Sequence, residues 1–280
     1  MVVVIACGLL VAVGLTAGVR WGGLKFQPPP PSSDAEARVD VARRYVWYLA
    51  VAAVSGLGAG VLVAGAGGRL VMRLLAVTSP GAARGRVTEA NEIVGEITVG
   101  GTVGFVVFTG LFFGLGTGVL YLLVRRWLPA GRLGGLAFGG LLLVVAGTRI
   151  EPLRPDNADF DIVGPSSVAL LAFGALVVLH GVVVAALAAR YATTLPLLAR
   201  ERRALVGHAP LLLLLPAVFP LLLLALVGLV AVALSQVEPI RTGLHGPKAT
   251  FFGRVILAGV ALVALPGFVT AVVDIAGSGP

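Results

Sequence analysis

Residues 166–189 read SSVALLAFGALVVLHGVVVAALAA, twenty-four in a row without Asp, Glu, Lys or Arg. At about 1.5 Å per residue a helix of that length covers about 36 Å, more than the roughly 30 Å of bilayer hydrocarbon. Hydrocarbon offers no water to an N–H or C=O, so a spanning segment of this kind must pair its backbone internally, as a helix does. Six further stretches of the same character place predicted spans at 2–19, 45–68, 97–124, 133–148, 209–235 and 255–273. The fold class is therefore all-α, a polytopic transmembrane helical bundle of about seven spans. The stretch at 133–148 is the shortest, and Arg132 and Arg149 at its two ends must snorkel for it to cross.

Composition agrees. The chain is 58% hydrophobic and 12% charged, with a mean hydropathy of +1.02, whereas a soluble domain carries about 25% charged residues. A soluble class is excluded. The net charge of +8 does not point to nucleic acid, because the basic residues flank apolar segments, where topology and anionic lipid account for them. Arg outnumbers Lys 19 to 2 in a chain rich in Ala, Gly, Val and Leu, the bias of GC-rich bacterial coding, which makes a bacterial plasma membrane the expected location. Cys7 is the one cysteine, so the chain has no intrachain disulfide and no thiolate metal site.

The chain divides into an N-terminal anchor (1–26), a proline-rich linker (27–33) and a six-span bundle (34–280). Pro28 to Pro31 favour extended backbone, which sets the anchor apart from the bundle. Ser33 and Glu36 form a capping box for the second helix, and Trp47 and Tyr48 fall where an interfacial aromatic belt belongs. With the N-terminus outside, the loops after the first, third and fifth spans hold twelve of the 21 Lys and Arg, against nine in the others. The positive-inside rule then favours that orientation, with a cytoplasmic C-terminus. Glu89, Glu92, Glu96, Glu151, Asp156, Asp159 and Asp161 all fall in the outer loops.

His180 stands alone as an ionisable side chain near the middle of a span, and a titratable group there marks a candidate functional position. Its structural alternative is a hydrogen bond to a neighbouring helix, with Thr109 and Thr117 as partners. Arg69 and Arg73 share a helical face, while Glu89, Glu92 and Glu96 have i, i+3 and i, i+4 spacing; together with Arg149 and Arg154 they form a charged outer cap suited to a ligand or to internal ion pairs. Asp156, Asp159 and Asp161 are weak candidates for a divalent cation, without the glycine and terminal glutamate of an EF-hand loop. No cofactor is expected, and no HExxH, Walker or GxGxxG motif is present. Gly110, Gly114 and Gly118, with Gly56 and Gly60, suit close helix contact inside the bundle or a homodimer face. Pro216, Pro220 and Pro266 predict kinks or unwound turns in the last two spans.

Three functions fit these features. The first is a non-enzymatic bundle that binds or passes a small solute or lipid. The second is an assembly or scaffold subunit of a larger membrane complex. The third is a metal-dependent lipid-processing membrane enzyme. The expected partners are the lipid bilayer and either a homo-oligomer or such a complex.

Overall fold

The computed structural model describes residues 2–29, 37–89, 92–199, 201–212 and 246–278. The described residues are helical throughout, apart from loops and an isolated bridge pairing Val87 with Ile93. The helices are α1 (Val2–Arg20), α2 (Ala37–Ala59), α3 (Ala66–Thr78), α4 (Val99–Val124), α5 (Arg132–Val145), α6 (Ser166–Thr194), α7 (Arg202–His208) and α8 (Pro247–Gly277). A π-helical turn, Gly60–Gly65, joins α2 to α3 without a break.

Among the described residues five helices are long and apolar enough to cross a membrane: Val2–Arg20, the continuous Val41–Thr78, Val99–Val124, Ser166–Thr194 and Pro247–Gly277. This composition and length fit an integral membrane protein; the count of about seven spans is not reproduced. The stretch at 133–148 forms only the 14-residue α5, about 21 Å long and short of the hydrocarbon thickness. The predicted sixth span, with Pro216 and Pro220, lies almost wholly outside the described residues, as do Ser33 and Glu36. Pro266 does not interrupt α8, which runs on to Gly277.

Glycine sets the central contact. Gly56 and Gly60 meet Gly110, Gly114 and Gly118 of α4; a Cβ added at Gly60 would lie 2.9 Å from the Cα atoms of both Gly110 and Gly114. No side chain fits between these backbones, so the small-xxx-small ladder is buried within the chain and does not form a free dimer face. The π-helical turn sits on this seam. The helix then continues through Arg69 and Arg73 to Thr78, ten residues beyond its expected end at Gly68.

α1 packs against α3 and α6 and is not detached from the bundle: Gly14 faces Val63 and Gly18 faces Val182. Arg132 Nη2 donates to the Val19 carbonyl at 2.9 Å, which fixes the C-terminal end of α1 beside the start of α5. That basic end also holds an aromatic cluster. Trp47 is fully buried and donates to the Leu195 carbonyl at 2.9 Å, so it belongs to the core and not to an interfacial belt. Phe26 stacks on Tyr48, and the Arg125 guanidinium lies 3.7 Å from the centre of the Phe26 ring.

The opposite, acidic end carries the loops 79–98 and 146–165. Both described termini lie there: Val3 and Val4 share a cavity with Arg69 and Arg73, and Ser166 Oγ donates to the Ser278 carbonyl. α8 starts at the other end, with Gly253 against the Trp127 indole. α7, with Gly207 against Leu195, lies at the basic end as well.

Candidate functional site

The acidic end is built by two loops held together through paired charges. Arg154 bonds Glu89 and lies 3.7 Å from Glu151 and 3.3 Å from Asp156. The Glu89 N–H donates to Asp159 Oδ1 at 2.8 Å, so the loop before α4 is fastened to the loop before α6. Asn157 caps the short 3-10 turn Ala158–Asp161, accepting the Asp159 N–H at 2.8 Å. Burial pushes the Glu151 carboxyl above its ordinary value; Arg154 opposes this, while Glu89, Asp159 and Asp156 add to it. Asp159 is also raised by burial, against the pull of the Glu89 N–H. The Glu89 bond holds Arg154 above its ordinary value.

Beneath this cap lies a cavity of about 1150 Å³ bounded by α1, α3, α4, α6 and the end of α5. Arg69, Arg73, Glu89, Glu92, Glu96, Asp159 and His180 all line it, so seven of the residues marked in the sequence converge on one space. Arg69 Nη2 is 4.0 Å from Glu92 Oε1, and the guanidinium lies 5.4 Å from the Phe105 ring centre. Arg73, one turn nearer the end, donates to the Gly95 carbonyl at 3.2 Å. The walls below are apolar and aromatic, with Phe105, Phe108, Phe112 and Phe113 from α4 and Phe173 from α6.

At the far end His180 is 5% exposed. Its Nε2 lies 2.8 Å from Thr117 Oγ1, and that hydroxyl also reaches the Gly114 carbonyl at 3.0 Å. The ring thus ties α6 to α4 at the glycine seam. The Ala59 carbonyl faces the ring, yet Nδ1 makes no hydrogen bond among the described residues. His180 sits fourteen residues into the 29-residue α6, about 21 Å along its axis, which is its midpoint.

The remaining marked residues lie elsewhere. Arg154 belongs to the cap and not to the cavity wall. Arg149 is exposed, donates to the Val145 carbonyl at 3.1 Å and faces a shallow groove between α5 and α8 lined by Ile256, Val260 and Ala264. Asp156 is engaged by Arg154 and Asp161 is exposed, whereas Asp159, which accepts the Glu89 N–H, reaches the cavity wall. Among the described residues no three His, Cys, Asp or Glu side chains are placed to hold a metal ion.

Sequence reading missed Thr102 and Glu151. Thr102 is 5% exposed, lines the cavity and leaves its Oγ1 without a hydrogen-bond partner among the described residues. Nothing in its local sequence separates it from the other threonines of α4. The phenylalanine spacing at 105, 108 and 112 was readable as one helical stripe, but such a stripe equally fits a lipid-facing surface. Comparison with protein-family models, with curated proteins and with solved structures found no match to this chain.

Proposed function

We propose that the chain is a non-enzymatic membrane bundle that binds, or passes, an amphipathic small molecule of the lipid class in the cavity beneath the acidic cap. The supporting observation is continuity: one space runs from charged side chains at the end of the bundle, past phenylalanine walls, to His180 at mid-depth. Small-molecule sites commonly occupy about 300–1,000 Å³ and are mostly apolar with a few placed polar groups. A volume of about 1150 Å³ leaves room for an alkyl chain as well as a headgroup. Phe108 and Phe112 remain 60% and 59% exposed, so the α4 wall is open sideways to the bilayer, the natural source of such a molecule. By the positive-inside rule the basic end faces the cytoplasm and the charged mouth faces outward.

Glycine positions in the cavity wall provide the test. At Gly116, which lines the cavity, an added Cβ meets no heavy atom within 4 Å among the described residues, so a large side chain fills the cavity without straining the helix contacts. Gly140 of α5 is equally open and is not part of the cavity wall. Wild-type protein purified in mild detergent should retain lipid, measured by mass spectrometry of the extracted sample. Gly116→Trp should retain at least fivefold less, and Gly140→Trp as much as wild type. Equal retention by all three would overturn the proposal.

A further inference from the structure

Resting on that reading of the cavity, we infer that its ligand carries a zwitterionic headgroup: a phosphate ester seated on Arg69 and Thr102, with an ammonium group beyond it against Glu151 and Asp159. Depth sets the order. Arg69 lies nine residues before the end of α3 at Thr78, about 13 Å back along the helix. The carboxylates of Glu151 and Asp159 belong to the loop that closes the acidic end. Moving outward, a ligand therefore meets apolar wall, then the two guanidinium groups of Arg69 and Arg73 with Glu92 beside Arg69, then the carboxylates of the closing loop.

The inner position has donors without acceptors. Arg69 Nη2 and Thr102 Oγ1 are both buried without hydrogen-bond partners among the described residues, and both residues line the cavity. Glu92 stands 4.0 Å from Arg69, beyond hydrogen-bond reach. A Cβ added at Gly101 would lie 2.7 Å from Glu92 Oε1, 2.8 Å from Thr98 Oγ1 and 3.1 Å from Arg69 Nη2, which places the guanidinium, with the Glu92 carboxylate beside it, against the first turn of α4, at the positive end of its dipole. Orphaned donors at a helix start, beside a guanidinium whose planar fork matches phosphate oxygens, favour an oxyanion.

An anion alone leaves the outer position unexplained. There the single guanidinium of Arg154 faces Glu89, Glu151, Asp156 and Asp159. Glu151 and Asp159 also line the cavity, and one cation among four carboxylates leaves an excess of negative charge. An ammonium group there relieves that repulsion. A lipid supplies both charges in this order, phosphate next to the chain and amine outermost, and the phenylalanine walls take the chain.

The test uses the purified full chain and equilibrium binding of radiolabelled hexadecanoyl lysophosphatidylethanolamine, competed by four unlabelled probes. These are hexadecyl phosphate (anion only), hexadecylamine (cation only), monohexadecanoylglycerol (uncharged) and soluble O-phosphoethanolamine (headgroup without chain). The zwitterion should bind at least tenfold tighter than each of the other chain-bearing probes, and O-phosphoethanolamine should not displace it. Arg69→Gln should weaken the zwitterion and hexadecyl phosphate at least tenfold while leaving the uncharged probe unchanged. Glu151→Gln should weaken the zwitterion and hexadecylamine about fivefold and leave hexadecyl phosphate unchanged, and unaltered gel-filtration profiles show that the variants are folded. Equal affinity for all four chain-bearing compounds, or an Arg69→Gln variant that binds as wild type, overturns the headgroup assignment and leaves the cavity proposal standing. Displacement by O-phosphoethanolamine alone assigns the site to a soluble zwitterion and overturns the lipid. No binding of any chain-bearing compound overturns both.

Discussion

Replacing Gly114 by Ala tests the glycine seam that positions α4, and with it the cavity wall. The added Cβ would press on the Gly56 carbonyl oxygen and lie 3.0 Å from its carbon and 3.2 Å from Gly60 Cα. Both neighbours are backbone, so neither yields by changing a rotamer; α2 and α4 must part. Restoring ordinary contact needs roughly 0.5–1 Å of separation, which forfeits a quarter to a half of the dispersion energy of each atom pair along the seam. Overpacking of this kind costs about 1–3 kcal/mol, offset by about 1 kcal/mol from the better helix propensity of Ala. The variant should be less stable than wild type by up to about 2 kcal/mol. Gly116→Ala supplies the control: its Cβ meets no described atom within 4 Å, so only the propensity gain remains, about 0.5–1 kcal/mol. Reversible unfolding in mixed micelles with rising dodecyl sulfate, followed by far-ultraviolet circular dichroism, reads both. A Gly114→Ala protein as stable as Gly116→Ala would refute the close approach of these helices.

Thr117→Val removes the partner of a buried imidazole and should cost about 1 kcal/mol in the same titration, with Thr117→Ser restoring it; no loss in the valine variant would refute the α4–α6 tie. Trp47→Phe deletes the bond to the Leu195 carbonyl and should cost about 1 kcal/mol, whereas an interfacial tryptophan would tolerate the change. Because burial raises the Glu151 carboxyl, the folded protein takes up that proton more readily than the unfolded chain, so stability from this group grows as pH falls through the raised value and is lost as pH rises through it. Glu151→Gln should therefore melt higher than wild type at pH 7.5, with the gap closing as pH falls below the raised value; a gap that stays constant would contradict the burial of this carboxyl.

The spans were legible because hydrocarbon leaves the backbone no alternative to a helix, and twenty apolar residues announce that in any context. Their ends were less legible. Arg69 and Arg73 mark a polar boundary, yet the helix continues to Thr78 because the two guanidinium groups turn into the cavity, where Glu92 and the Gly95 carbonyl meet them. The glycine ladder was visible in sequence, but its partner was not. Spacing alone does not separate Gly114, pressed against Gly56, from Gly116, which faces open space two residues on. His180 stood out as an ionisable group in mid-span, and Thr117 was one of two partners considered for it. The cavity itself was illegible, since it depends on where α1 and α6 rest against α3 and α4. Arg149 shows the same limit from the other side: marked with the outer cap by its sequence position, it lies on the α5–α8 groove because α5 ends early, at Val145.

The central claim is that an alkyl chain occupies the space between the acidic cap and His180. A photoactivatable lysophosphatidylethanolamine with a diazirine at the end of its chain, incorporated into nanodiscs with the wild-type protein, probes that space directly once adducts are mapped by peptide mass spectrometry. Adducts at Phe112, Thr117, Phe173 or Leu176, suppressed by excess unlabelled lipid and absent in Gly116→Trp, are the predicted result. Adducts confined to outward-facing positions such as Leu133, Leu262 and Val263, unchanged by competitor, would contradict it.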